Sequence, residues 1–144
     1  MYRRVILPTD GSEESMKAVK EGMKLASFLD VPATAIHVIE MGDLYIPEDM
    51  EKSLKRSGEK ILEEVEALAD EMGVELETKI FKGTPYKRIS GYAEEDDVIY
   101  ISSHGSSGFK ELFLGSTTNR LLKHAKCTVA MVKGTPGEVD KSKV

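Results

Sequence analysis

A Gly/Ser-rich segment follows an apolar run in the last third of the chain and ends where a helix is expected to begin. Residues 98–101 read VIYI, residues 102–108 read SSHGSSG, and Gly115-Ser116 stand at the expected helix start. Small residues let backbone N–H groups approach an anion closely, and a helix N-terminus adds free N–H groups. The segment therefore predicts a phosphate-binding loop, with adenine or another nucleotide as the first ligand to consider. The alternative is an ordinary strand-to-helix connection with a serine cap.

Little else in the sequence is arranged for catalysis. His104 carries a side chain that titrates near physiological pH, yet no nucleophile, paired carboxylate or metal set accompanies it at an informative spacing. The three histidines and Cys127 lack metal-ligand spacing. Neither loop glycine is followed by the Lys-Ser/Thr of a Walker A motif, and Gly-x-Ser-x-Gly is not satisfied. The pattern favours binding over catalysis and leaves the assignment as an enzyme open.

The composition of the chain indicates its cellular compartment and the classes of partner that it could bind. The chain has 144 residues, 40% of them hydrophobic and 31% charged, with a formal net charge of −5 and one cysteine. No apolar run approaches the ~18 residues of a membrane helix, and the start, MYRRVILPTD, is too short in its apolar part for a signal peptide. We expect a cytoplasmic protein that binds neither membrane nor nucleic acid, with one domain over residues 1–133 and a disordered tail over 134–144.

Hydrophobic periodicity predicts five strands that alternate with four helices. Ser12 followed by two acids starts the first helix, Gly73 stops the second, and Thr84-Pro85 supplies a cap and a first helical proline for the third. The alternating run from Val74 to Ile80 indicates a strand near a sheet edge, with one wetter face. The predicted strands span 5–8, 33–39, 74–80, 98–101 and 129–132, and the predicted helices span 12–29, 47–72, 84–93 and 116–126.

This alternation implies a parallel sheet with helices on both faces, in which a ligand lies beyond the carboxyl ends of the strands where the strand order reverses. The first strand ends at residues 8–10 and the fourth ends at residues 102–105. If the two strands are neighbours, Asp10 and the Gly/Ser segment face one crevice. Asp10 alone also fits a turn or a helix cap.

The chain resembles the universal stress protein family over nearly its whole length, through VILPTDGSEES, IHVIE, GTPYKRI and SSHGSSGFKELFLGSTTNRLLKHA. The nucleotide-binding branch of that family carries Gly-x2-Gly-x9-Gly-Ser/Thr. In this sequence the four motif positions are Ser102, Gly105, Gly115 and Ser116, so serine replaces the first glycine. The family also contains members that have lost the glycines and do not bind ATP.

The resemblance implies a single open doubly wound α/β sheet of five parallel strands, in the order 3-2-1-4-5. It implies ATP or a related adenine nucleotide as the ligand, with any Mg²⁺ carried on the phosphates. It also implies a homodimer, which pairs through the last strand, Thr128 to Lys133.

When the contact residues of the family are carried over to the matching positions of this sequence, the resemblance implies a set of contacts for each part of the nucleotide. Pro8, Thr9 and Asp10 would line the adenosine pocket, with the Asp10 carboxylate accepting a hydrogen bond from a ribose hydroxyl, and Val38 would contact adenine. The remaining candidate residues would lie around the phosphates: Ser102, His104, Gly105, Gly115, Ser116 and Thr117.

Three functions are compatible with these observations. The leading hypothesis is a stress-response binding or signalling module that holds an adenine nucleotide. The alternative is a nucleotide-independent dimeric interaction protein on the same fold, which Ser102 favours. The third is a slow ATP-cleaving or adenylating enzyme, against which stands the lack of paired acids, nucleophile and metal ligands.

Overall fold

The computed structural model describes residues 1–41, 45–103 and 115–133. The elements are β1 (Arg4–Pro8), α1 (Glu13–Leu29), β2 (Ala33–Glu40), α2 (Glu48–Met72), β3 (Leu76–Gly83), α3 (Pro85–Tyr92), β4 (Asp97–Ser102), α4 (Ser116–His124) and β5 (Thr128–Val132). The predicted alternation of strands and helices is confirmed. Most of the predicted Gly/Ser loop and the predicted tail lie outside the described residues.

The five strands form one parallel sheet in the order β3-β2-β1-β4-β5, as the family resemblance implies. β1 is the central strand and pairs with both β2 and β4, with Pro8 opposite Ile36 and Ile6 opposite Ile99. β3 lies at one edge, as its alternating pattern predicts, and β5 lies at the other.

Helices cover both faces of the sheet, because successive side chains of a strand point to opposite sides. On one face α1 and α2 bury an apolar cluster that includes Leu7 of β1, Met23 of α1 and Val65 of α2. On the other face α3 and α4 bury a second cluster that includes Ile6 of β1 and Leu121 of α4. Among the described residues, no helix combines the length and the apolarity that crossing a bilayer would require.

Helix α2 differs from the sequence expectation in its buried face. It begins and ends where predicted, and Gly73 caps it with a left-handed φ of 69°. In the sequence, apolar residues at helical spacing predict one buried stripe, formed by Leu54, Ile61, Val65, Leu68 and Met72. Leu54 is instead 37% exposed, and residues 48–57 of this helix are all exposed except half-buried Glu51. The buried positions of α2 begin only at Gly58 and continue through Leu62, Val65 and Ala69.

Helix α4 also ends earlier than predicted. Periodicity placed its end near Lys126, whereas the helix stops at His124 and Ala125 has an extended conformation, with φ −68° and ψ 138°. The N–H of Ala125 still donates to the carbonyl of Leu121, so the last turn is closed before the chain enters β5.

A buried ion pair joins the amino ends of β1 and β4. The carboxylate of Asp97 is fully buried and accepts hydrogen bonds from Arg4, at 3.0 Å and 2.7 Å, and from the N–H of Glu94, at 2.7 Å. Burial raises the pKa of Asp97, but these bonds and the charges of Arg4 and Arg3 outweigh it, so the pKa lies below its ordinary value. The Arg4 guanidinium also lies 4.6 Å from the ring centroid of Tyr92.

Replacing Arg4 with methionine should lower the free energy of unfolding by about 3 kcal/mol at pH 7, because the buried carboxylate of Asp97 would lose the guanidinium that donates two of its hydrogen bonds. A carboxyl with a lowered folded pKa stabilises the fold above about pH 4, and this contribution is lost as the pH falls through the folded value. The difference between the parent and the variant should therefore shrink from pH 7 to pH 3 in urea unfolding.

Lys24→Met is the matched control, because it removes an exposed ion pair with Glu21, 3.0 Å long. That variant should change the free energy of unfolding by less than about 1 kcal/mol. Equal losses in the two variants, or an Arg4 effect that does not change with pH, would contradict a buried, charge-paired Asp97.

Candidate functional site

A cavity lies where the strand order reverses, at the carboxyl ends of β1 and β4. The connection after β1 enters α1 on one face of the sheet, and α4 lies on the other face, so a crevice opens between them. Its volume is about 290 Å³. Eight of the ten sequence-predicted site residues line it: Pro8, Thr9, Asp10, Val38, Ser102, Gly115, Ser116 and Thr117. The other two, His104 and Gly105, lie outside the described residues.

Thr9 fixes the turn that leaves β1. Its side chain is buried and shares a hydrogen bond of 2.8 Å with the hydroxyl of Ser15, while the N–H of Gly11 donates to Thr9 Oγ1 at 3.1 Å. The N–H of Thr9 continues the sheet ladder to the carbonyl of Ile36 at 2.9 Å, and the carbonyl of Thr9 accepts from Nδ1 of His37 at 2.9 Å. Every polar group of Thr9 is therefore engaged by the protein itself.

Asp10 is exposed at the rim of the cavity. Its Oδ1 accepts from the N–H of Ser12 at 2.9 Å, and the hydroxyl of Ser12 accepts from the N–H of Ser15 at 3.1 Å as the cap of α1. The turn role that the sequence allows for Asp10 is thus present. It also holds the carboxylate beside the cavity, next to Pro8 and Thr9.

The end of β4 holds the start of α4 in place. Ser102 and Ser103 are buried; the carbonyl of Ser103 accepts from the N–H of Gly115 at 2.8 Å. The carbonyl of Ser102 accepts from the hydroxyl of Thr118 at 2.6 Å. The hydrogen bonds of Ser102 and Ser103 therefore fix the start of α4 beside the end of β4, and the first turn of α4 faces the crevice.

The cap of α4 is Gly115, with φ −56° and ψ 150°, and Ser116 is the first helical residue. The alternative of a serine cap is wrong, since the cap residue has no side chain with which to accept from the first turn. The first N–H groups of a helix lack partners within the helix. In this structure that turn, with Ser116, Thr117 and Thr118, lines the cavity.

The apolar part of the cavity wall was largely missed from the sequence. Ile36 and Glu40 share the face of Val38 on β2, so the period of two could have pointed to them. Pro85 and Ile89 come from α3, whose approach depends on packing that no local pattern reveals. The lining residues that sequence reasoning did not name are Ser15, Ile36, Glu40, Pro85, Ile89, Ile101 and Thr118.

The described residues add no metal or thiol chemistry to this cavity. Over residues 1–41, 45–103 and 115–133, no group of three or more His, Cys, Asp or Glu side chains could hold a metal ion. Cys127 is half-buried against the α3/α4 cluster, and burial raises the pKa of its thiol above the ordinary value, which disfavours the reactive thiolate.

An open doubly wound α/β sheet with a cavity at its point of strand reversal is the architecture of a ligand-binding α/β protein. The sequence profile of the universal stress protein family matches residues 1–133, and the chain belongs to that family. One curated relative is the universal stress protein MJ0531 of Methanocaldococcus jannaschii. It is 31% identical over 141 residues, which cover 92% of this chain and 83% of the relative.

Solved structures agree with the fold. Protein MJ0577 of Methanocaldococcus jannaschii superposes with a TM-score of 0.86 at 26% identity, over 95% of this chain and 99% of that one. A universal stress protein family protein from Arabidopsis thaliana, solved with AMP bound, gives a TM-score of 0.66 at 23% identity, over 92% of each chain.

Proposed function

We propose that this protein is a stress-response binding module that holds an adenine nucleotide of the ATP type in the cavity between β1 and β4. The observation that carries the proposal is the placement of the start of α4, at Gly115 and Ser116, opposite an apolar wall that includes Val38; among the described residues no side chain caps this helix start. An anionic phosphate group suits the helix start, and an adenine ring suits the wall. The Arabidopsis relative with AMP supports the same ligand class.

Gly115 is informative because the backbone dihedral angles at this position do not require glycine. Its φ of −56° is open to any residue, so the absence of a side chain, not conformational freedom, distinguishes this position. A missing Cβ allows close approach to the N–H groups of the first turn of α4. We assign the phosphates to this turn, with Ser116 and Thr117 as hydroxyl donors and Gly105 as a further contact.

The other end of the cavity would take the nucleoside. Val38 offers apolar surface for adenine, Pro8 and Thr9 shape the floor, and the Asp10 carboxylate would accept from a ribose hydroxyl. Ser102 replaces the glycine of the family motif and is one of the residues that line the cavity, and its carbonyl accepts a hydrogen bond from Thr118. We therefore expect Ser102 to weaken nucleotide binding without preventing it, and His104 to stand beside the phosphates.

A bound nucleotide would supply the phosphates and would carry any Mg²⁺ on them. The residues that surround the cavity would bind the nucleotide and orient it. The described part of the chain places neither a nucleophile with its base nor a set of metal ligands at this cavity. Binding, rather than turnover, is the activity we assign.

Gly115→Val should remove most of the phosphate-dependent affinity while leaving the fold intact. A branched side chain at φ −56° is not strained, but it would stand between the ligand and the start of α4. Calorimetric titration with ATP and with adenosine measures the effect: ATP should lose its advantage over adenosine in the variant.

Gly91→Val is the matched control, because a Cβ at Gly91 meets no atom within 4 Å and the residue lies at the exposed end of α3. Its affinity for ATP should equal that of the parent. If Gly115→Val also binds ATP as the parent does, the phosphates do not lie at the start of α4.

Asp10→Asn separates the two roles of Asp10. The amide oxygen can still accept from the N–H of Ser12, so the free energy of unfolding should change by less than about 0.5 kcal/mol. The lost charge and acceptor should weaken ATP binding by about 1–2 kcal/mol in calorimetry.

Ser12→Ala is the opposite control for Asp10. It removes the side-chain cap of α1 and should cost about 1 kcal/mol of stability, with ATP affinity close to that of the parent. Unchanged affinity in Asp10→Asn would confine Asp10 to its turn and refute the ribose contact.

A second copy of the chain is proposed to pair along β5. The N–H of Ser103 donates to the carbonyl of Val132, so the backbone of Val132 faces β4, and that of Ala130 does so by alternation. The backbone groups of Val129 and Met131 then point away from the sheet, and Met131 is 37% exposed. An edge of this kind, which pairs with no further strand among the described residues, favours strand addition across a two-fold axis.

Met131→Pro should therefore convert the dimer to a monomer, because proline removes an outward donor without breaking the ladder to β4. Met131→Ala keeps that N–H and should stay largely dimeric. Sedimentation at micromolar concentration distinguishes them, and a parent protein that is monomeric at that concentration refutes the pairing along β5.

A further inference from the structure

His37 lies on β2 directly behind the cavity. Its neighbours Ile36 and Val38 line the cavity, whereas its own side chain points to the opposite face of the sheet, toward α2. Nδ1 of the half-buried imidazole is 2.9 Å from the carbonyl oxygen of Thr9. A carbonyl oxygen only accepts, so Nδ1 carries the proton and donates it to Thr9.

This bond extends the pairing of β1 with β2 past the end of β1. The Cα register of the two strands ends at Pro8 opposite Ile36, and the N–H of Thr9 makes the last backbone bond, to Ile36. The imidazole of His37 then holds the next carbonyl, that of Thr9, and so orients the peptide between Thr9 and Asp10.

Gly58 on α2 leaves the space in which the imidazole of His37 packs. A Cβ at Gly58 would lie 2.7 Å from Cδ2 of His37, which is closer than two carbon atoms pack, and 3.3 Å from Nε2. Glycine in the interior of a helix costs about 1 kcal/mol relative to alanine. Glycine at position 58 leaves room for the ring of His37 to pack against α2. Alanine could not make this contact, which therefore offsets the cost of the glycine.

Helix α2 touches the same turn at a second point, one turn further along. A Cβ at Gly11 would lie 2.9 Å from Cδ1 of Ile61, so Ile61 packs directly on the backbone of Gly11. Gly58 and Ile61 are three residues apart and share one face of α2. That face therefore supports the turn over residues 9–12 both directly and through His37.

We propose that His37, packed against Gly58, is the positioning residue of the nucleotide site. It makes no contact with the cavity itself. It sets the direction of the peptide after Thr9 and thereby the placement of the Asp10 carboxylate. Because His37 packs against Gly58, α2 is a structural part of the site that β1 and α4 form. The consequence for affinity rests on the proposed nucleotide function, whereas the control of the turn does not.

The first test compares His37→Asn with His37→Leu. The amide nitrogen of asparagine stands close to the place of Nδ1 and can donate to Thr9, whereas leucine fills the space without a donor. His37→Leu should bind ATP about tenfold more weakly and His37→Asn within about threefold of the parent, by calorimetry. Equal affinities in both variants and the parent would overturn the positioning role.

The second test uses Gly58→Ala, with Gly91→Ala in α3 as the control, since a Cβ at Gly91 meets no atom within 4 Å. Gly58→Ala should weaken ATP binding, and Gly91→Ala should not. In the His37→Ala background the ring is absent, so Gly58→Ala should have no further effect on affinity. Additive effects of the two changes would show that Gly58 does not act through His37.

A ligand-free readout separates this proposal from the proposed function. In the parent, nitrogen NMR should show a proton on Nδ1 of His37, and His37→Leu should shift the amide signals of Asp10 and Gly11 while His37→Asn restores them. If His37→Leu shifts these amide signals, His37→Asn restores them and the parent binds no nucleotide, the proposed function is wrong. The proposal that His37 positions the turn after Thr9 is then still supported. Amide signals unmoved by His37→Leu would overturn the positioning role whatever the parent binds.

Discussion

The pairing of β1 with β4 is the constraint on which the rest of the structure depends. It places a strand from the second half of the chain beside the first strand, so that the sheet grows outward in two directions from this pair. Helices α1 and α4 consequently cover opposite faces, and their separation opens the cavity. The buried pair of Arg4 and Asp97 joins the two strands at their amino ends, remote from the cavity at their carboxyl ends.

Serine, threonine and glycine make up seven of the fifteen described residues that line this cavity. The carbonyls of Ser102 and Ser103 hold the start of α4, and the cap of that helix has no side chain at all. A site of this kind recognises an anion through fixed N–H groups and recognises the rest of a ligand by shape. Such a site is suited to the nucleotide that we propose, and its described residues include no nucleophile with a base beside it and no set of metal ligands.

Local patterns predicted the elements well because each depends on nearby residues. Ser12, Gly73 and Pro85 set helix boundaries through backbone conformation and capping, which act over a few residues. The order of the strands came from the family resemblance, because periodicity does not state which strands are neighbours. The buried face of α2 was partly misassigned, because Leu54 has the right spacing for the apolar stripe, yet it lies in the exposed first part of the helix, residues 48–57.

The lining of the cavity was predictable where a residue directly follows a strand or starts a helix, as Thr9 and Ser116 do. It was not predictable where a side chain arrives from another layer, as Ile89 does from α3. Nor could the sequence reveal the role of His37, because the imidazole acts on a carbonyl 28 residues away and Gly58 leaves the room for it. These contacts exist only once the sheet and α2 are assembled.

The central claim is that an adenine nucleotide occupies the cavity between β1 and β4, and an NMR titration of the parent protein with ATP tests it most directly. Saturable shifts should concentrate at the amides of Thr9, Val38 and residues 115–118, with β3 and the exposed start of α2 unaffected. No shift at millimolar ATP, or shifts confined to another surface, would contradict the account.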